Sequence, residues 1–423
     1  MVTVASDRHH SLRQRLAVLQ NQQFRYLLTG RTISILGDGL YNVAAMWLVF
    51  ELTGSTFYTG LAGFLAQAPG ILQFLVGPLV DRAQLDRVLF LSEVVQGILV
   101  LLIPLAAFLN HLNVYAVLVV MPLLAISNLF AGPAQQATLP RLVDDERLVR
   151  ANSVFSVATK AVDAAAKGVA GILIAFIGAV SLYLVNAGTF AVTAICFGIL
   201  SVPHRTAETT DFDLTTYRAE LLDGITVLIE SVAGHMLIAS LMANFLMGVT
   251  LAILPAFAAH IGGAETYGLL LAGLTIGVVL GSVSASMVDH LPLGWLTIGG
   301  FVCSSVLWLG AIVIPGRVPT ILLLTVSRIP IGIYSVCVLA VLQTAIPNEL
   351  LGRVTAVISS ATNIVVPAGL LCGGVLGEYI SSESVMVAGG IGIFLMAMYW
   401  LLVPSLRRFE PPTTVASGAF GGE

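Results

Sequence analysis

The chain has 423 residues, 57% hydrophobic and only 10% charged, with a formal net charge of −4. Soluble domains carry about 25% charged residues, so this composition excludes a water-soluble globular protein and makes lipid the solvent. The near-neutral balance without a basic run gives no surface that would track nucleic acid, and no such partner is expected.

Residues 1–23 are polar and basic, with no apolar core or cleavage site, and read as a cytoplasmic tail rather than a signal peptide. A helix crossing the bilayer core needs about 20 apolar residues. Twelve stretches reach that length: Tyr26–Leu52, Phe57–Val80, Val88–Leu109, Leu112–Pro140, Ala151–Val180, Leu182–Val202, Met236–Ala259, Tyr267–Val288, Trp295–Pro315, Val318–Ile346, Val354–Gly377 and Val385–Pro404. The first, third, fifth and tenth carry internal charge. Between the sixth and seventh, Leu214, Tyr217, Leu221, Leu222, Ile225 and Leu228 recur at helical spacing. They predict an amphipathic helix along the cytoplasmic face. The polar, Gly- and Pro-containing end predicts a disordered tail. The expected organisation is an all-α membrane protein with a tail (1–23), a six-helix bundle (24–203), a cytoplasmic linker (204–231), a second six-helix bundle (232–408) and a tail (409–423).

Basic residues orient this set. Arg8, Arg13, Arg15, Arg25, Arg82, Arg87, Arg141, Arg147, Arg150, Arg205, Arg218, Arg407 and Arg408 all fall on one side, and the opposite loops hold only Arg317. Both termini are therefore expected in the cytoplasm, with the chain crossing a bacterial inner membrane many times. The two halves repeat one another. Gly77-Pro-Leu-Val-Asp81-Arg82 matches Ala285-Ser-Met-Val-Asp289-His290, and Gln136-Ala-Thr-Leu-Pro140 matches Gln343-Thr-Ala-Ile-Pro347. The offsets agree, 208 from position 81 to 289 and 207 from 140 to 347. A six-plus-six parallel duplication is a transporter architecture.

The loop Gly77-Pro-Leu-Val-Asp81-Arg82-Ala-Gln-Leu-Asp-Arg87 resembles the cytoplasmic signature of the major facilitator superfamily between its second and third helices. The segments FRYLLTGRTISILGDGLYNVAAMWLVFELTGS, LPRLVDDERLVRAN and LQTAIPNELLGRV are similar to the drug:proton antiporter branch, which holds macrolide efflux proteins and an enterobactin exporter. The resemblance implies a latch in which Gly77, Asp81, Arg82 and Arg87 meet the helix starting near Arg353 and hold the cytoplasmic side shut. A carboxylate set against the positive end of a helix makes such a contact favourable. One departure stands out: Lys167, in Ala166-Lys167-Gly168, occupies the place of the proline in that branch's fifth-helix motif.

Ionisable groups inside a span cost roughly 2.5–3.5 kcal/mol each on insertion scales and usually face a cavity. Asp38, about twelve residues into the first helix, is one; it reads as a proton-coupling carboxylate or as the ion-pair partner of Arg31. Lys160, Asp163 and Lys167 share one face of the fifth helix, and the chain has no other lysine. Asp163 reads as a second coupling carboxylate. Lys160, Lys167, Arg328 on the tenth helix and the polar Asn244 read as substrate-cavity residues. Arg328 stays charged in any environment and needs a carboxylate, a carbonyl or a substrate group. Glu93, near the cytoplasmic end of the third helix, reads as a structural partner of Arg87 or Arg82. Gly273-xxx-Gly277-xxx-Gly281 and Gly369-xxx-Gly373-xxx-Gly377 predict close helix contacts, and Pro69, Pro122, Pro133, Pro255, Pro330 and Pro367 fall within spans and are expected to bend them.

The four cysteines sit singly in apolar stretches, and no metal spacing, nucleophile motif or phosphate-binding loop occurs. Neither an enzyme nor a cofactor is expected, and any energy source is expected to be an ion gradient. The sequence thus predicts a monomeric secondary transporter, with protons, lipids and a small molecule as its partners. Its expected activity is proton-coupled export of drugs or other amphipathic compounds by alternating access. The alternatives are export of a siderophore or metabolite, or proton-coupled symport of a small anion.

Overall fold

A computed structural model of the protein describes residues 17–73, 83–203 and 231–414, with Val76 and Val80. The linker helix expected over Leu214–Ile229, the outer parts of both tails, and Gly77, Asp81 and Arg82 of the signature loop lie outside the described residues. Within them every regular element is helical: α1 (Gln22–Thr53), α2 (Thr56–Gln67), α3 (Leu85–Phe108), α4 (Val114–Leu142), α5 (Asp145–Ile177), α6 (Ala179–Gly198), α7 (Val232–Ile261), α8 (Gly263–Ser284), α9 (Leu293–Val313), α10 (Arg317–Ser327), α11 (Ile329–Ala345), α12 (Asn348–Tyr379) and α13 (Ser382–Leu402).

Ten spans among the described residues are long and apolar enough to cross a membrane, α10 and α11 counting as one. Twelve were expected from the sequence; the second stretch runs on into residues outside the described ones, and the fifth is set apart by its charges. In the second stretch 12 helical residues lead into a tight 3₁₀ turn at Ala68–Leu72. Pro69 has no N–H to continue the ladder there. The fifth, α5, is 33 residues long, but its charges put it outside an apolar span. The tenth stretch is two helices that meet at Arg328. Pro330 lies just inside α11, where a missing N–H is tolerated, and its ring breaks the ladder behind it.

The described chain divides into two units, one within Met1–Leu48 and Pro69–Thr210, the other within Val49–Ala68 and Asp211–Glu423. In the first, Asn21 caps α1 by accepting from the backbone N–H groups of Gln23 and Phe24. Its side-chain amide then donates to Leu142 O at the end of α4. Phe24, Leu27, Leu85, Leu89, Leu139 and Phe197 fill the core beneath it. Helix α3 is built inside out. Leu91, Ile98 and Leu105 recur every seven residues and are exposed, whereas Ser92, Glu93 and Gln96 are buried. That pattern suits a lipid-facing helix whose polar residues meet other helices. The step from α5 to α6 turns at Gly178, whose φ of 79° favours glycine.

In the second unit the glycine stripes lie where helices press together. A Cβ on Gly277 would sit 2.0 Å from Thr325 O, and one on Gly281 would sit 2.0 Å from Ile329 O, so α8 lies directly against the α10–α11 break. Gly369 and Gly373 make the same approach to Phe245 O and Val249 O on α7. Helix α2 packs on α12, with Gly60 against Leu370 O and Gly374. Glu378 holds the start of α2 by accepting from Ser55 Oγ at 2.7 Å and from the Phe57 N–H at 3.3 Å. Side-chain donors tie backbones together elsewhere: Ser304 to Ser327 O (2.6 Å), Ser305 to Gly390 O (2.8 Å) and Trp308 to Met386 O (2.8 Å).

Overpacking such a contact costs about 1–3 kcal/mol. Gly277→Ala is therefore expected to lower the thermal unfolding midpoint of the detergent-purified protein. Gly299→Ala, where an added Cβ meets nothing within 4 Å, is expected to leave it unchanged or slightly higher.

Candidate functional site

Two charged regions stand out, one in each unit. The first is organised by the Gly37-Asp38-Gly39 triplet of α1. A Cβ on Gly37 would collide with Thr189 and Asn186 of α6, and one on Gly39 would sit 2.6 Å from Ala166 Cβ of α5. Adjacent residues lie about 100° apart around a helix. Asp38 is thus held between two faces that each press on a neighbour, and its register against α5 and α6 is fixed. Next to Ala166, Lys167 Nζ donates to Asp163 Oδ2, one turn back on α5, at 2.7 Å, the two side chains 36% and 41% exposed.

Glu93 of α3 completes this region. It is 1% exposed. Its Oε1 accepts from Ser34 Oγ of α1 at 3.2 Å, and its Oε2 has no hydrogen-bond partner among the described residues. Arg31, one turn before Ser34, lies within electrostatic range of Asp38, Glu93 and Asp163 together. No ion pair as short as 4 Å forms between Arg31 and any of the three. Asp163 has Lys167 besides.

The second region is a cavity of about 430 Å³ within the second unit, between α7, α8, α11 and α12. Arg328, at the α10–α11 break, lines it together with Asn244, Ser240, Tyr334 and a mostly apolar wall. Arg328 is 9% exposed. Its Nη2 reaches only the Met247 thioether, at 3.5 Å, and its Nε is unpartnered. Asn244 donates to Ser240 O at 2.8 Å, and Ser240 and Tyr334 exchange a hydroxyl contact at 3.2 Å. Phe301 and Trp400 pack on the Tyr334 ring.

The residues singled out from sequence are thus distributed unevenly. Asp38, Asp163 and Lys167 come together in the first unit; Lys160 is exposed and takes no part in the Asp163 pair. Arg328 and Asn244 share the second unit's cavity. Of the latch residues, Arg87 is exposed on α3 and Arg353 lies on α12; Gly77, Asp81 and Arg82 are outside the described residues. Glu93 forms no ion pair with Arg87, one of the two arginines expected for it, and Arg82 lies outside the described residues. It turns to Ser34 of α1. Its place on the polar face Ser92-Glu93-Gln96 of an otherwise apolar helix is the signal that could have found it.

Residues 13–421 match the family described as transmembrane secretion effector. The chain is 24% identical over 391 residues to the multidrug efflux pump Tap of Mycolicibacterium fortuitum, covering 88% of this chain and 94% of that one. It is 27% identical over 414 residues to the enterobactin exporter EntS of Citrobacter koseri, covering 94% and 95%. Among solved structures, a bacterial homologue of the lysosomal transporter Spinster, inward-facing and occupied, superposes with a TM-score of 0.71 at 12% identity over 91% of this chain and 96% of that one.

The half-exposed Asp163–Lys167 pair generates a measurable expectation. In a double-mutant cycle of Asp163→Asn and Lys167→Met, read by thermal unfolding in detergent, the coupling should be about 0.5–1 kcal/mol and should fall with added salt.

Proposed function

Because this chain belongs to the transmembrane secretion effector family of the major facilitator superfamily, and is therefore a multi-pass membrane transporter and not an enzyme, we propose that it exports amphipathic small molecules in exchange for protons by alternating access. The observation that carries this reading is the buried Glu93 carboxylate of α3, which accepts from Ser34 of α1, one turn before Asp38, and leaves its Oε2 without a hydrogen-bond partner among the described residues. Asp38 and Glu93, with Arg31 as the cation of this part of α1, carry an excess negative charge, which a single proton cancels. Asp163 has its own partner in Lys167. The similarity to Tap supports a drug-like substrate. The similarity to EntS supports a siderophore as the second reading.

On this reading the chain forms twelve spans as two homologous six-helix halves, α2 and α5 included, and works as a monomer among membrane lipids. Both termini are in the cytoplasm. Gly77, Asp81, Arg82, Arg87 and Arg353 form the cytoplasmic latch, and Lys167, Lys160, Arg328 and Asn244 contact substrate. The arginine asymmetry of the loops supports the orientation, and the paired offsets of the internal repeat support the two halves.

In proteoliposomes with an imposed pH gradient, a fluorescent lipophilic dye is expected to move against its own gradient. Asp38→Asn and Glu93→Gln are each expected to cut the gradient-driven rate by about tenfold or more while leaving dye equilibration down its own gradient. Movement indifferent to the pH gradient would remove proton coupling. A reporter that functions only in the cytoplasm should be active when fused after Glu423 and silent when inserted at Gly316.

A further inference from the structure

The cavity of the second unit holds a cation whose counter-charge the described protein does not supply. Arg328 is 9% exposed and stays charged. Among the described residues no acidic side chain lines the cavity, and none acts on Arg328 electrostatically. Its contacts there are one thioether sulfur, a weak acceptor, and an unsatisfied Nε. A buried charge in that state is costly unless something pairs with it. The guanidinium cannot relieve the deficit by moving its backbone, because the α8 chain at Gly277 lies against Arg328 Cβ and Thr325 O. Ser304 fixes the preceding carbonyl, Ser327 O.

The rest of the wall states what kind of counter-ion would fit. It is mostly aliphatic, with Val278, Ile331, Leu339 and Val354 among its members. Its uncharged polar groups are Ser240, Asn244, Tyr334, Ser335, Gln343 and Thr355; Ser240 and Tyr334 engage each other, and Asn244, Ser335 and Thr355 donate to carbonyls of their own helices. The volume of about 430 Å³ falls in the range of drug-sized ligand sites. A planar guanidinium matches a carboxylate through two parallel hydrogen bonds. We propose that this cavity is a binding site for amphipathic organic carboxylates, with Arg328 pairing the carboxylate and the aliphatic wall covering the apolar body. This assignment rests on the export reading, since it names the substrate class of that activity, but it can be tested by binding alone.

The test uses the full chain purified in a nonionic detergent, with 2-naphthoate and the shape-matched neutral 2-naphthamide as probes. Naphthoate is expected to bind at least about tenfold more tightly than naphthamide, as a charge-assisted hydrogen bond allows. Arg328→Gln should erase that preference while leaving naphthamide binding in place. Asn244→Asp, which puts a carboxylate into the lining and leaves Arg328 intact, should also erase it. Thermal unfolding of each variant verifies that it is folded. Equal binding of the two probes by the wild type, or a preference that survives Arg328→Gln, overturns the proposal. In vesicles of zwitterionic lipid the soluble anion is read alone. If added phosphatidylglycerol displaces naphthoate at constant ionic strength, the site belongs to a lipid headgroup and the soluble-carboxylate assignment falls. Loss of the anion preference with dye export retained would remove only this site, whereas intact anion binding without any gradient-driven transport would remove the export reading.

Discussion

A helix surrounded by lipid gains little from burying an apolar face against another helix, because the lipid tails are equally apolar. Close van der Waals approach and polar contacts must therefore hold such a bundle together, and this constraint runs through the structure. Gly277 and Gly281 let α8 lie on the carbonyls of the α10–α11 break, and Gly369 and Gly373 do the same for α12 on α7. Ser304, Ser305 and Trp308 each spend a donor on a backbone carbonyl of a different helix. The apolar residues are left for the outside, as Leu91, Ile98 and Leu105 of α3 illustrate.

The same solvent decides where charge can stand. In the first unit, ionisable groups are compensated locally: Asp163 by Lys167, and Asp38 and Glu93 by the common field of Arg31. That arrangement leaves a small imbalance, which a mobile proton can correct. In the second unit the charge is single and fixed, and Arg328 cannot lose its proton in any plausible setting. A group that exchanges protons and a group that never does are suited to different tasks, coupling for one and ligand charge recognition for the other. A ligand or a proton shifts the conformational equilibrium only through different affinity for its states. Each region would then act through whatever contact changes when the other is occupied.

How much of this the sequence disclosed depends on the range of the signal. Span positions and glycine stripes are local and periodic, so the contacts expected at Gly273–Gly281 and Gly369–Gly377 are where the helices do touch. Of the six prolines expected to bend spans, Pro330 sits at the Arg328 break and Pro69 in a 3₁₀ turn, whereas Pro122, Pro133, Pro255 and Pro367 lie inside continuous helices. The Asp163–Lys167 pair is a local four-residue spacing and was equally legible. Glu93 is less legible, because Arg87, close to it in sequence, is exposed and forms no ion pair with it. Ser34 is 59 positions away, and nothing local indicates that α1 and α3 meet there. The isolation of Arg328 is of the same kind: a missing partner is a property of the folded cavity and leaves no trace in the residues around it.

Charge selection by Arg328 would also set how strongly the membrane potential drives export. One elementary charge crossing about 150 mV is worth roughly 3.5 kcal/mol, at about 2.3 per 100 mV. A neutral compound leaving in exchange for one proton draws on that amount once. A monovalent cation leaving for one proton moves no net charge and draws nothing from the potential. A monovalent carboxylate leaving the negative interior while a proton enters moves two charges in the favourable sense, about 7 kcal/mol. At about 1.4 kcal/mol per decade this sustains a gradient of roughly five orders of magnitude, against two to three for the neutral compound. On the proposed reading, a single proton taken up at Asp38 or Glu93 would suffice for steep accumulation outside the cell. An exporter with one fixed cation in its cavity has reason to carry no second coupling ion.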